Sequence, residues 1–212
     1  NPNIFIVSEY QYDTNSYNLV IVPYNIWEYD GTPIIISLGN YRPLCSPTLA
    51  DDNLVVVLCE NRLRVIDIST GRTIFTKSAN YQSVRPVVDE GKNIYAVQSD
   101  YIVACSITGS QLWKTKITGG AGDKLCMGSD LYSINSQGKL YKYDIFTGKE
   151  SLVSDIVFTS DVLIDGDNIL YIGSDNILYA IKDDGIYWSL ELNSTIVNTP
   201  VMDKNGVIYL TT

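Results

Sequence analysis

Short apolar segments follow turn residues at regular intervals along this chain. Six of them begin directly after an Asn, Asp or Gly residue, and their first apolar residues are Leu19, Leu54, Ile94, Leu131, Ile169 and Val207. The intervals between these starts are 35, 40, 37, 38 and 38 residues. A second series, the turn glycines Gly31, Gly71, Gly109, Gly148 and Gly185, has intervals of 40, 38, 39 and 37 residues. The agreement of the two series indicates an internal repeat of about 38 residues.

Each repeat is long enough for four short strands. The third copy predicts strands at 84–89, 93–98, 102–108 and 111–117. The second strand of a repeat is apolar nearly throughout, so both faces of its sheet must be covered. Four-stranded blades that pack face to face meet this need. We therefore predict an all-β protein with little helix, a β-propeller of five full blades and a partial sixth, with a two-sheet sandwich as the structural alternative.

The last repeat contains only two of its four predicted strands, at 198–203 and 207–212. We expect a single propeller domain over residues 1–212 that is incomplete at its C-terminus. Propellers close by completing the last blade, which removes exposed sheet edges. The simplest expectation is therefore a piece of a ring of about six to eight blades. Completion of the ring by a partner chain is the alternative.

The composition excludes several classes of function. The chain has 212 residues, a formal net charge of −9 and no histidine. Catalytic triads, Cys-His pairs and the commonest zinc sites all need imidazole, so they are excluded within this chain. Acidic residues are scattered along the sequence, which argues against nucleic acid as a partner. The longest apolar runs have the length of a strand, so we expect no membrane span.

The four cysteines have no CxxC spacing. They are Cys45, Cys59, Cys105 and Cys126, and their even number leaves two disulfides open. The last three lie in apolar segments that read as strands, where cysteine is often a small buried hydrophobe. We therefore favour buried free thiols, with a disulfide framework as the alternative.

The copy at 168–182 resembles the repeat of the pyrroloquinoline-quinone-like β-propeller family. In that family a strand ending in Gly-Ser leads through an acidic turn to Leu-Tyr-Ala-Leu-Asp, then to Thr-Gly-Lys and a tryptophan. The matching residues here are Gly173-Ser174-Asp175, Leu178-Tyr179-Ala180-Ile181-Lys182, Gly185 and Trp188. Partial copies lie at 63–72 and 140–149, and the copy at 26–31 is the most divergent. Trp113, Trp188 and Phe75, which follow turn glycines, are expected to pack between blades.

The resemblance implies two kinds of function. Quinone-dependent dehydrogenases of this family hold pyrroloquinoline quinone with calcium at the centre of the ring, often beside a disulfide between adjacent cysteines. This chain has no adjacent cysteines, and no acid is distinguished as a catalytic base. Other family members are scaffolds, such as the outer-membrane assembly lipoprotein of bacteria, or sensor domains. We therefore predict a non-catalytic binding or scaffold propeller outside the cytoplasm, without cofactor or metal. A fragment of a quinone-dependent dehydrogenase and an extracytoplasmic sensor domain are the alternatives.

In a blade, the turn between its second and third strands lies at the same end as the connection to the next blade. This rule collects a set of residues rich in Tyr and Asn: Asn40, Tyr41, Arg42, Glu60, Asn80, Tyr81, Gln82, Asp100, Tyr101 and Asp175. Tyrosine offers rigid contact area, and asparagine offers adaptable hydrogen bonds. We predict these residues as the binding surface for a protein, peptide or glycan partner. The alternative is that they are ordinary solvated turns.

Overall fold

The computed structural model describes residues 3–24 and 32–212. Strands, and no helices, are the regular elements of this part of the chain. No membrane-spanning helix is therefore found among these residues. The chain divides into two compact units, residues 1–114 and 115–212.

Unit 1 contains three sheets whose strands are neighbours in sequence order. The first has three strands and the other two have four each. They are β1 (Asn3–Gln11), β2 (Ser16–Tyr24) and β3 (Ile34–Gly39); β4 (Thr48–Leu49), β5 (Leu54–Cys59), β6 (Arg62–Asp67) and β7 (Arg72–Ser78); and β8 (Val87–Val88), β9 (Ile94–Gln98), β10 (Tyr101–Cys105) and β11 (Gln111–Lys116), whose last residues belong to unit 2.

Unit 2 contains two four-stranded sheets and a two-stranded sheet. They are β12 (Lys124–Met127), β13 (Leu131–Ile134), β14 (Leu140–Tyr143) and β15 (Glu150–Ser154); β16 (Leu163–Ile164), β17 (Leu170–Ser174), β18 (Ile177–Lys182) and β19 (Gly185–Glu191); and β20 (Val201–Met202) and β21 (Ile208–Tyr209). The two strands predicted for the last repeat are therefore present as β20 and β21.

Alternate residues of β5 enter two different hydrophobic cores. Val55 and Val57 pack with Leu19 and other residues of the first sheet. Val56 packs in a second cluster with Ile94 of the third sheet. Because side chains alternate across a strand, the sheet β4–β7 is covered on both of its faces. Each fully buried Val contributes about 1.5–3 kcal/mol relative to an exposed one. The predicted burial of both faces is confirmed for this sheet.

The first repeat differs from the prediction. β2 pairs directly with β3, with Leu19 opposite Ile36, so β3 lies where the repeat alignment expects a strand from residues 26–30. β3 leads into the connection before β4, as β7 leads into the connection before β8. β2 is therefore the equivalent of β6, a third strand, and its alignment with the second strands was wrong. The divergent copy at 26–31, with Gly31, lies outside the described residues.

At two of the turns between third and fourth strands, an aspartate side chain and a glycine close the turn, whereas Gly185 lacks the positive φ of a turn glycine. The Asp67 carboxylate accepts hydrogen bonds from the amides of Ser69 (2.8 Å) and Thr70 (3.2 Å). These bonds lower the pKa of Asp67 below its usual value. Gly71 follows with a φ of +69°, a conformation that glycine adopts without steric cost. Asp144 makes the corresponding bonds before Gly148.

In unit 1, Phe75 packs between two sheets as predicted, whereas the ring contact of Trp113 is within its own sheet. A Cβ atom added to Gly109 would lie 2.3 Å from the Phe75 ring, so Phe75 of one sheet rests on a turn of the next. Trp113 is buried against Tyr95. In unit 2, Trp188 contacts Tyr171 in the same way but remains 37% exposed.

All four cysteines are free thiols, which confirms the favoured prediction. Cys59 and Cys105 are buried, and Cys45 and Cys126 are half-buried. Burial raises the pKa of the Cys59 thiol to about 11. These cysteines therefore serve as small apolar side chains.

Candidate binding surface

Loop segments of unit 1 are joined by backbone hydrogen bonds at one end of its sheets. The amide of Glu60, in the β5–β6 turn, donates to the carbonyl of Arg42 over 2.8 Å. The amide of Ala79, in the next connection, donates to the carbonyl of Asn61 over 3.1 Å. The β5–β6 turn therefore lies between the connections that precede β4 and β8.

The same pattern continues into the third sheet. The amide of Ser99, in the β9–β10 turn, donates to the carbonyl of Asn80 over 3.1 Å. At the other side, Tyr17 pairs with Gly39, which brings the β1–β2 turn to the same end. We call this surface the loop end of unit 1. It is formed by residues 10–17, 40–43, 60–62, 79–82 and 98–101.

Nine of the ten predicted binding residues lie at the loop end of unit 1. Asn40, Arg42, Glu60, Asn80, Gln82 and Asp100 are exposed, Tyr41 and Tyr101 are half-buried, and Tyr81 is buried. In unit 1 these turns therefore lie together at one end of the sheets, as predicted. Their role in binding stays a prediction.

Tyr81 does not present its ring to solvent. It is only 6% exposed and packs in the core cluster shared by the second and third sheets. Its backbone forms an isolated bridge with Gln98, which turns the side chain inward. Burial raises the pKa of Tyr81 above its usual value. The expectation that Tyr81 is an open contact residue was therefore wrong, because a tyrosine in a turn can also fill a core.

Tyr41 carries an arginine on its face. The guanidinium carbon of Arg62, the first residue of β6, lies 3.7 Å from the centre of the Tyr41 ring. Tyr41 itself packs against the core of the first two sheets, together with Tyr17. A stacked Arg–Tyr pair of this kind is a rigid polar and aromatic surface. At the far side of the loop end, the Lys114 ammonium lies 4.5 Å from the ring centre of Tyr101.

Three tyrosines at the loop end were missed by the sequence prediction. The ring of Tyr10 lies 4.8 Å from that of Tyr12 and 4.9 Å from that of Tyr17. Tyr12 is 86% exposed, while Tyr17 is anchored on the core. The signal was present, because residues 12–15 read as a hairpin turn between two apolar strands. The misaligned first repeat assigned that turn to the opposite end.

Asp175, the tenth predicted residue, belongs to unit 2. It is exposed in the β17–β18 turn, and its amide donates to the Thr159 hydroxyl over 3.2 Å. Its carbonyl accepts from the amide of Ile196 over 2.8 Å. Asp175 thus ties together the connections on either side of its own sheet, as Glu60 and Asn61 do in unit 1.

Acidic residues at the opposite ends of the sheets form a repeated structural bond. A carboxylate receives the hydroxyl of a tyrosine six residues later in three pairs: Asp89 and Tyr95 (2.8 Å), Asp165 and Tyr171 (2.9 Å), and Asp203 and Tyr209 (3.3 Å). The same carboxylates accept backbone amides of their own turns. Burial and the bond to Asp165 raise the pKa of Tyr171 to about 12. These acids close turns, and the sequence prediction missed this role.

The acidic side chains of the described residues are not grouped as calcium ligands. Within the described ranges, no three His, Cys, Asp or Glu residues gather where they could hold a metal ion. Asp165, the centre of the most acidic segment, already accepts two backbone amides and a tyrosine hydroxyl. The cysteines are separated in sequence and are not bonded to each other.

Comparison with known proteins gives structural neighbours but no sequence family. No protein-family model and no curated protein matches the chain. BamB from Moraxella catarrhalis superposes with a TM-score of 0.67 at 14% identity, over 93% of this chain and 67% of that one. Hsv2 from Kluyveromyces lactis gives 0.67 at 12% identity, over 99% and 72%. A Bacteroides caccae protein of unknown function gives 0.63 at 10% identity, over 99% and 82%.

BamB and Hsv2 are β-propellers, and the described sheets have the form of propeller blades. The predicted fold class is therefore confirmed: the chain has a β-propeller fold with blade-like antiparallel sheets. In the described residues, four of the blades have all four strands. Identities this low establish the fold alone, so the quinone-like repeat family and the single incomplete domain stay predictions.

Proposed function

We propose that this propeller is a non-catalytic binding module that recognises a polypeptide through the loop end of unit 1. The observation that carries the proposal is the Arg62 guanidinium over the Tyr41 ring, at the same loop end as the exposed rings of Tyr10 and Tyr12. Tyrosine and arginine are the residues that most often dominate the energy of protein interfaces. A glycan is the second ligand class that such a surface suits.

The loop end offers both rigid and adaptable contacts. Tyr17 and Tyr41 are anchored on the core, so their rings lose little freedom when a partner binds. Asn40, Asn80 and Gln82 are exposed and supply amide donors and acceptors. This combination of fixed aromatic rings and mobile amides is typical of surfaces that bind polypeptides.

A location outside the cytoplasm is part of the proposal. It is supported by the resemblance of the repeats to extracytoplasmic scaffold propellers and by the fold shared with BamB. Cys59 and Cys105 are buried, which protects their thiols from oxidation in an oxidising compartment. Fractionation of cells that naturally produce the protein, followed by protease treatment of intact cells, tests this location.

Partner capture by matched variants tests the binding surface. Tyr12→Ala and Tyr41→Ala alter the loop end, while Ile74→Ala removes an exposed apolar side chain from β7 and serves as the control. We expect partner recovered by chemical cross-linking to fall for the two tyrosine variants and to stay unchanged for the control. Equal recovery with all three variants would exclude this surface.

The absence of a quinone cofactor is tested separately. A ligand that binds only the native state raises the melting temperature, by an amount set by its concentration and affinity. We expect pyrroloquinoline quinone added with calcium to leave both the melting temperature and the quinone absorption spectrum unchanged. A saturable rise in melting temperature would support the dehydrogenase alternative instead.

A further inference from the structure

Two arginines of the loop end have no acidic partner in the described part of the chain. Every ion pair found there uses a lysine. Neither Arg42 nor Arg62 has a side-chain hydrogen bond to another described residue, and Arg42 is exposed. Glu60 is exposed in the adjoining turn, yet it forms an ion pair with neither arginine.

The Arg62 side chain is held in a fixed orientation. Its backbone is paired with Cys59 on β5 and with Ser78 on β7, so the side chain starts from a rigid sheet position. Its guanidinium carbon lies over the Tyr41 ring, 3.7 Å from the ring centre, and Tyr41 is itself supported by the core. Stacking uses the face of a guanidinium and leaves the N–H groups on its edge to bind a ligand.

The neighbouring arginine on β6 is already satisfied. The Nη2 atom of Arg64 donates to the Thr73 hydroxyl over 2.7 Å. Arg62 and Arg64 are two residues apart on one strand and therefore point to the same face of the sheet. The two arginines differ in that Arg64 has a hydrogen-bond partner within the sheet and Arg62 has none among the described residues. Arg64 is therefore a matched control for Arg62.

We infer that Arg62, seated on Tyr41, binds a carboxylate of the partner polypeptide, with Arg42 as a neighbouring cation. The edge of a guanidinium matches a carboxylate through two parallel hydrogen bonds, which gives the contact a fixed geometry. This inference rests on the proposed function and specifies the chemistry of its partner. The carboxylate is supplied by an Asp or Glu side chain or by a C-terminus.

A single carboxylate fits the surface better than a polyanion does. Glu60 and Asp100 are exposed at the same loop end, as is Asp13 in the β1–β2 turn. The whole chain also carries a net charge of −9. A lipid surface or a row of phosphates would extend over these acidic residues and be repelled by them. A single carboxylate contacts only the area around Arg62, so it avoids most of this repulsion.

Selection from a phage-displayed random peptide library, followed by anisotropy titration of the labelled selected peptide, tests the inference. The variants are Arg62→Gln, Arg62→Lys and Tyr41→Ala, with Arg64→Gln as control and circular dichroism to confirm folding. We expect selected peptides to contain an acidic residue or to depend on a free C-terminus, which an amidated copy of the peptide distinguishes. We expect Arg62→Gln to weaken binding about tenfold or more and Arg64→Gln to change it little. Arg62→Lys keeps the charge but loses the two-pronged edge, so it should also weaken binding.

The remaining outcomes overturn the inference in separable ways. Selected peptides that bind the loop end without any carboxylate, or equal loss with Arg62→Gln and Arg64→Gln, contradict the carboxylate contact but leave the proposed function standing. If the selected peptides bind Tyr41→Ala, Arg62→Gln and Arg62→Lys as tightly as they bind the parent protein, the proposed function is contradicted as well. Arg62-dependent sedimentation with vesicles of anionic phospholipid, in place of peptide binding, would assign the arginine to a membrane surface.

Discussion

The contact between Gly109 and Phe75 predicts a large effect of a very small substitution. Gly109 has a φ of +97°, and a residue with a Cβ atom in that region costs roughly 1–2 kcal/mol. The added Cβ would also lie 2.3 and 2.4 Å from two ring atoms of Phe75. Overpacking of this kind costs about 1–3 kcal/mol more. We expect Gly109→Ala to lower the free energy of unfolding by about 2–5 kcal/mol in total.

Gly71 offers a control with the same backbone problem and no clash. Its φ is +69°, and the nearest atom to an added Cβ is Ile36 Cγ1 at 3.8 Å, an ordinary contact. Gly71→Ala should therefore cost only the backbone term of about 1–2 kcal/mol. Urea denaturation followed by circular dichroism measures both variants on one scale.

A double-mutant cycle isolates the packing between the two sheets. In a Phe75→Ala background the ring is gone, so Gly109→Ala should cost no more than Gly71→Ala does. If Gly109→Ala costs the same with and without the Phe75 ring, the aromatic residue does not pack on the next turn. Equal costs for Gly109→Ala and Gly71→Ala in the parent chain would refute the reasoning in the same way.

Three further predictions concern the polar and thiol groups. Tyr171→Phe removes the hydroxyl bound to Asp165 and should cost about 1 kcal/mol of unfolding free energy in urea, because a half-buried carboxylate loses one of its donors; no change would show that the bond is dispensable. Asp67 and Asp144 have pKa values lowered by turn hydrogen bonds, so the stability they add is present above the unfolded pKa near 3.8 and is lost as pH falls through the folded values. Melting temperatures measured from pH 6 down to about pH 2 should fall, and less steeply in the Asp67→Asn, Asp144→Asn variant. The Cys59 thiol, with its pKa raised by burial to about 11, should resist iodoacetamide at pH 8 in the folded protein and react after unfolding in urea, as mass spectrometry would detect.

The repeat could be recognised because two of the blades close the same turn with the same residue types. Gly71 and Gly148 adopt positive φ values after Asp67 and Asp144, which bond the turn amides. Because each such turn needs an aspartate and a glycine at a constant spacing, the repeat is visible in the sequence. The sequence alone therefore predicted the sheets from β4 onward. Burial of β5 on both of its faces gave the second signal, an apolar run without polar positions.

In the first repeat, an apolar run alone could not show which strand of the sheet β2 forms. The run of β2 at Leu19 looks like that of a second strand, but its sheet partners identify it as a third strand. Apolar content reports that a strand is covered and does not report its place in the sheet. The error moved the β1–β2 turn to the wrong end and hid Tyr10 and Tyr12 from the predicted site.

Burial within loops also escaped the sequence prediction. Tyr41 and Tyr81 follow an asparagine in equivalent connections, yet one supports Arg62 at the surface and the other fills a core. The direction of each side chain depends on which neighbouring residue its backbone pairs with, and that pairing is long-range. The stacking of Arg62 on Tyr41 joins a residue of β6 to one in the β3–β4 connection, so no local pattern could predict it.

The most direct test of the loop end as a binding surface is site-specific photo-cross-linking in cells that naturally produce the protein. A photoreactive phenylalanine replaces Tyr12 at the loop end, or Asn53 in the β4–β5 turn at the opposite end of the same unit. Both positions are exposed, so a probe at either one can reach a partner in solution. We predict a discrete cross-linked polypeptide from position 12 and none from position 53. Adducts of equal yield from both positions, or from position 53 alone, would contradict binding through the loop end.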